Sequence, residues 1–198
     1  ETGFDPGSIA GFDDLAALPR FDVAILREGP ERLAPRGLSD QAPYVFETGG
    51  TTGAPTQRLS WRDHIIDYEN LADTLDDEVF PRGAHWLMIG PSGPRRLRHG
   101  IEILARARGG RCYMLDLDPR WAKRLEVEGR VDEVRAYKGH VIDQAVSLLE
   151  HRDITCLFAT PALLEALGDR VELGASGVRG VLCGGTSMGA QTMRFLCE

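Results

Sequence analysis

Short apolar runs that alternate with amphipathic stretches constrain this chain more than any other feature. The runs are Tyr44-Val45-Phe46, Trp86-Leu87-Met88-Ile89, Cys112-Tyr113-Met114-Leu115, Cys156-Leu157-Phe158-Ala159 and residues 178–183. Each is too short for a helix and lacks the polar alternation of a strand wet on one face, so each reads as a strand buried on both. Helical patterns fall at 63–75, 100–108, 120–126, 141–151 and 161–167. In the fourth, Val141-Ile142, Ala145-Val146 and Leu148-Leu149 form an apolar stripe beside Asp143, Gln144 and Glu150. Strands alternating with helices predict an α/β fold with a mostly parallel sheet flanked by helices. Residues 1–40, rich in Pro and Gly, read as an irregular lead-in packed on a body that spans 41–198.

The formal net charge of -7, from 30 acidic and 23 basic side chains, disfavours nucleic acid and anionic membrane as partners. No apolar stretch approaches the roughly 20 residues that span a bilayer. The four cysteines, Cys112, Cys156, Cys183 and Cys197, form no CxxC pair or zinc spacing. They read as packed thiols in a reducing cytoplasm. No metal ligands are assigned within the chain. Residue 1 is not Met, and the helical pattern at 193–198 has no stop signal. Processing or truncation at both ends is therefore expected.

The segment most informative about function is Thr48-Gly49-Gly50-Thr51-Thr52-Gly53-Ala54-Pro55-Thr56. Its glycines permit backbone angles that turn successive N–H groups inward as an anion nest, and its threonines add hydroxyls. A flexible Gly/Thr hairpin turn is the plain alternative. A Walker loop is excluded because no Gly-Lys-Ser/Thr is present, and a dinucleotide fingerprint because GxGxxG does not open a helix.

This segment resembles the phosphate loop of the adenylate-forming superfamily, Ser/Thr-Ser/Gly-Gly-Thr-Thr-Gly-x-Pro, and is most similar to the phenylacetate–coenzyme A ligase branch. Supporting likenesses follow in the same order along the chain: Leu15-Ala16-Ala17-Leu18-Pro19, Ser60-Trp61-Arg62-Asp63, Thr160-Pro161-Ala162-Leu163-Leu164, and Val181-Leu182-Cys183-Gly184-Gly185-Thr186-Ser187-Met188. The resemblance implies part of the large N-terminal domain of an enzyme that activates a carboxylic acid with ATP and Mg²⁺. Thioester formation on coenzyme A or a carrier-protein thiol would follow. Thr48, Gly49, Gly50, Thr51, Thr52 and Gly53 would hold phosphates, and Gly184, Gly185 and Thr186 would border the nucleotide. Pro91, Ser92 and Gly93 would line the acid site.

The resemblance also implies that the Mg²⁺-binding glutamate, the ribose-binding aspartate and a small lysine-bearing domain are missing from these residues. No residue of the chain is therefore assigned as catalytic, and the chain alone is expected to be inactive. A homodimer is left open. The sequence departs from the branch at Ala54, where lysine is usual, which leaves fewer cations against a triphosphate. A non-catalytic nucleotide-binding or interaction remnant of the fold is the alternative reading.

Gly185-Thr186-Ser187-Met188-Gly189 also spells GxSxG, but no His or Asp follows it, whereas a hydrolase elbow needs both downstream. Arg95, Arg96 and Arg98 read as a solvated loop face or as a contact for a phosphate of ATP or coenzyme A. Asp116 and Asp118 read as structural, with a capping role before Pro119. His140 and His151 read as surface or packing residues.

Overall fold

In the computed structural model, residues 4–20, 22, 24–35, 37–38, 41–48, 55–91, 93–185 and 187–197 are described. Short 3-10 turns and one four-residue helix, α1 (Ile25–Glu28), occupy the lead-in. An antiparallel ribbon follows, β1 (Tyr44–Glu47) and β2 (Gln57–Ser60), then helix α2 (Asp63–Thr74). The body then alternates β3 (His85–Pro91), α3 (Arg96–Ala107), β4 (Cys112–Leu117), α4 (Pro119–Val127), α5 (Val131–His151), β5 (Ile154–Ala159), α6 (Pro161–Gly168), β6 (Gly180–Cys183) and α7 (Ala190–Cys197).

The body strands form a parallel sheet in the order β4-β3-β5-β6. This is the α/β architecture expected from the alternation of runs. Side chains alternate across it, as a pleated strand requires. Trp86, Met88, Cys156 and Phe158 meet Ala72 of α2 and Ile101, Leu104 and Ala105 of α3. Leu87, Ile89, Leu157 and Ala159 meet Val141, Ile142, Ala145 and Leu149 of α5 and Leu163, Leu164 and Leu167 of α6. The division follows from handedness. The chain steps from β3 to β4 in one direction and returns past β3 to β5 in the other, so right-handed crossovers put α3 on one face and α5 and α6 on the opposite one.

Tyr44-Val45-Phe46 is a strand but does not belong to the buried sheet. Among the described residues it pairs only with β2, and Tyr44 and Val45 are 44% and 43% exposed, while Phe46 is buried. The apolar run serves one inward residue, a distinction that an unbroken run of three cannot reveal. Two helices also begin earlier than their apolar stripes suggest. The first turn of α3 is arginine-rich, and the first half of α5 intersperses Asp132, Glu133, Arg135 and Lys138 with the buried Val134 and the half-buried Tyr137. Pro119 opens α4, with Asp118 Oδ1 accepting from the Arg120 N–H at 2.9 Å, so the expected cap forms. Cys112, Cys156 and Cys183 are free thiols. Burial pushes Cys112 up to about 12 and Cys156 up to about 11, which keeps both neutral.

Arg108 fastens the α2–α3 layer. Its guanidinium, fully buried, donates to the carbonyls of Ala72 and Phe80 and, at 2.5 Å, to Asp77 Oδ1. Arg108→Ala strands the Ala72 and Phe80 carbonyls, whereas the exposed Asp77 turns to water; it should cost about 3 kcal/mol, read as a lower urea midpoint with unchanged slope. A loss below about 1 kcal/mol would show that water replaces the guanidinium.

Candidate functional site

The chain leaves β3 and β5 toward opposite sides of the sheet, and a crevice opens beyond the carboxyl ends of strands at such a switch point. A pocket of about 480 Å³ lies there, within the range of small-molecule sites. Gly90 and Pro91 from β3, Leu117 from β4, Phe158 from β5, and Gly184 and Gly185 after β6 all line it. Leu97 and Leu163 add apolar walls, and Lys123, Glu126 and Lys138 stand at the α4–α5 side. Lys138 Nζ lies 3.3 Å from Glu126 Oε1. The chemistry on offer is an apolar cleft with a charged rim.

The structure thus brings Pro91 together with Gly184 and Gly185, two groups of residues assigned from different parts of the sequence. Gly185 has φ 90°, a left-handed conformation suited to glycine, and the Gly184 N–H donates to the Ala159 carbonyl at 3.3 Å. A Cβ on Gly184 would sit 3.0 Å from the Phe158 ring, so the glycine keeps backbone, ring and pocket close. Gly93, with φ 83°, is outside the pocket lining; its carbonyl accepts from the Arg95 N–H at 2.8 Å in the turn before α3.

Thr48 also lies outside this lining, at the neck of the Gly/Thr loop. Its N–H donates to the Thr56 carbonyl and its Oγ1 accepts from the Thr56 N–H, both at 3.0 Å. The neck is seated on the turn beside the pocket, because the Glu47 N–H donates to the Pro94 carbonyl at 2.9 Å. Gly49, Gly50, Thr51, Thr52, Gly53, Ser92 and Thr186 lie outside the described residues.

Arg95 is not on a solvated face. It is 8% exposed, and its Nη1 donates to the Glu47 carbonyl at 2.7 Å. Ser187 is exposed, and no hydrogen bond among the described residues reaches it. Among the described residues, no cluster of three His, Cys, Asp or Glu side chains could hold a metal ion, and no helix is long and apolar enough to cross a membrane.

Sequence reasoning missed a buried polar chain beneath the ribbon. Ser60 Oγ donates to Asp63 Oδ1 at 2.5 Å and lies 3.2 Å from His64 Nδ1; His64 Nε2 lies 3.1 Å from His99 Nδ1. Because Ser60 gives its proton to Asp63, its oxygen accepts from His64 Nδ1–H. His64 Nε2 is then left to accept from His99 Nδ1–H. Tyr44 and Phe46 cover His64 edge-on at 4.7 and 5.0 Å. The 60–64 spacing across a helix start was the available signal, but His99 is distant in sequence.

Among solved structures, the ATP-bound RpMatB-BxBclM chimera B3 is similar to this chain at 17% identity and a TM-score of 0.47. ATP-bound MatB from Rhodopseudomonas palustris is similar at 18% identity and a TM-score of 0.46. Each alignment covers 77% of this chain and 26% of the other, so this chain spans about a quarter of their length. No protein-family model and no curated protein matches the sequence.

Burial and, next, the neighbouring His99 hold His64 below the usual imidazole range. The neutral ring is the one that fits, so its stabilisation is complete above the ordinary value of about 6.5. It is lost as pH falls through the lower folded value. A proton-NMR titration should place the His64 midpoint below about 6.5, and thermal stability should fall as the pH is lowered past that value. His64→Gln, which retains a donor and an acceptor, should flatten that drop. A midpoint above the ordinary value contradicts the assignment.

Proposed function

We propose that this chain belongs to an enzyme of the adenylate-forming kind, which activates a carboxylic acid with ATP. The carboxylate oxygen attacks the α-phosphorus, the bond to the β-phosphate breaks, and acyl-adenylate and pyrophosphate form. The thiol of coenzyme A or a carrier protein then attacks the acyl carbonyl in the whole enzyme, the bond to the phosphate oxygen breaks, and thioester and AMP form. The observation that carries this reading is the shared pocket: residues assigned to the acid (Pro91) and to the nucleotide (Gly184, Gly185) line one crevice at the strand ends. The loop with the Gly/Thr pattern is rooted on the adjacent turn.

In this reading, Thr48, Gly49, Gly50, Thr51, Thr52 and Gly53 hold the β- and γ-phosphates through backbone N–H groups and hydroxyls. Gly184, Gly185 and Thr186 let the nucleotide approach the backbone, while Pro91, Ser92 and Gly93 border the acid. The apolar walls from Leu97, Leu117 and Phe158 exclude water and orient the acyl group. The contribution is positioning and electrostatics rather than proton transfer. Mg²⁺ would neutralise phosphate charge when bound; the described residues supply no cluster for it, and it enters no step assigned to this chain.

Calorimetric titration of the 198-residue chain with ATP tests the reading. Gly50→Ala with Thr52→Val should weaken binding about tenfold or more, as the loss of one or two phosphate hydrogen bonds predicts. Ser187→Ala should leave binding unchanged, and Ser187 should not react with a fluorophosphonate. Equal ATP affinity in the folded double variant would defeat the loop assignment. Purified chain with ATP, Mg²⁺ and a panel of aryl and alkyl acids should yield no acyl-adenylate; product would overturn the division of labour with the rest of the enzyme.

A further inference from the structure

Arg95 is buried without its full set of partners. Nη1 donates to the Glu47 carbonyl, but Nε and Nη2 are shielded from solvent and have no hydrogen-bond partner among the described residues. A buried guanidinium with unmet donors is costly, because each lost its water without gaining an acceptor. Neighbouring carboxylates do not relieve it. Glu47 turns its carboxylate to Arg120, 3.9 Å away, and accepts from Gln57; Asp67 pairs with Arg96, and Asp116 lies 3.5 Å from Arg98.

The surroundings repeat the imbalance. Arg95 is the N-cap residue of α3, a 12-residue helix with no acidic residue in its first turn and no side-chain cap. Arg96 and Arg98 occupy that turn, Arg96 paired with Asp67 and Arg98 Nε 3.5 Å from Asp116 Oδ1. Positive charge at a helix N-terminus opposes the macrodipole. An anion at this end of α3 would meet the two unmet Arg95 donors and the positive end of the helix dipole. Residues 48–57, by contrast, contain no Lys, Arg or His.

We propose that Arg95 and the N-terminus of α3 form an anion site for phosphoryl oxygens, with Arg95 supplying the cation absent from the adjoining Gly/Thr loop. The site lies at the root of that loop, since Arg95 and Pro94 bind Glu47 and Thr48 follows directly. The presence of an anion site stands on the arginine's burial; only its assignment to the nucleotide's phosphates rests on the function proposed above. Coenzyme A carries the same phosphoryl chemistry, so both sources are compared.

The 198-residue chain is titrated with tripolyphosphate, ATP and coenzyme A, following the Arg95 Nε–H resonance and the calorimetric affinity. Tripolyphosphate should shift that resonance. Arg95→Met should weaken binding about ten- to a hundredfold, and Arg95→Lys, which keeps charge without the fork, should fall between. A purely structural arginine would alter the melting temperature of Arg95→Met but not its tripolyphosphate affinity, and that outcome overturns the site. Should Arg95→Met not fold, an unmoved Nε–H resonance in the wild-type chain at saturating tripolyphosphate overturns it equally. Loss of ATP binding on Gly50→Ala with Thr52→Val, but not on Arg95→Met, removes this inference and leaves the proposed function standing. Tripolyphosphate bound through Arg95 with ATP and coenzyme A no tighter supports the site and removes the nucleotide. Tighter binding of coenzyme A than ATP supports the site and gives it to that ligand.

Discussion

Strand β3 is enclosed from every side. It has β4 and β5 as parallel neighbours, α2 and α3 above one face, and α5 and α6 below the other, so that Trp86, Leu87, Met88 and Ile89 are all buried. Parallel strands need crossovers, and a strand apolar on both faces needs a helical layer over each. Placing β3 in the middle therefore forces the chain to leave it in one direction and return in the other. The crevice at the carboxyl ends is the geometric residue of that reversal. The pocket belongs to the topology before it belongs to any side chain.

The ribbon β1–β2 attaches to this body by a different kind of force. Beyond the buried Phe46 and Ser60, it relies on polar contacts: Glu47 to Pro94 and Arg95, and the Ser60–His64–His99 chain. Such contacts are directional, whereas the sheet core is not, and the histidine chain among them depends on protonation. The neck of the Gly/Thr loop is therefore anchored by polar groups on an apolar scaffold. Arg95 serves both parts, opening α3 and grasping the ribbon with the same side chain.

The fold class was legible because burial on both faces leaves a plain trace, an unbroken apolar run at Trp86–Ile89 and Cys156–Ala159, with helical periodicity between. Tyr44-Val45-Phe46 looked the same and is not, since three residues are too few to separate a two-faced strand from a ribbon with one inward side chain. The start of α5 was hidden because its inward residues, Val134 and Tyr137, stand singly among charged ones rather than in adjacent apolar pairs. Of the residues that line the pocket, Gly184, Gly185 and Pro91 were singled out in the sequence through glycine, proline and their order along the chain. Phe158, Leu97 and Lys138 were not, because nothing in a Phe, Leu or Lys marks it as facing a cleft rather than the core or solvent.

The sequence by itself determined the buried strands of the body and the helices between them, that these strands run parallel, and which short loop has the composition to hold an anion. Local periodicity and backbone permissiveness suffice for those, since both act within a few residues. Only the tertiary structure decided that Pro91 meets Gly184, that His99 reaches His64 across 35 positions, and that an arginine in a basic run is buried with donors to spare. These depend on the order of strands in the sheet and on which helix covers which face. That order is set by the packing of the whole chain, and no local window of residues contains it.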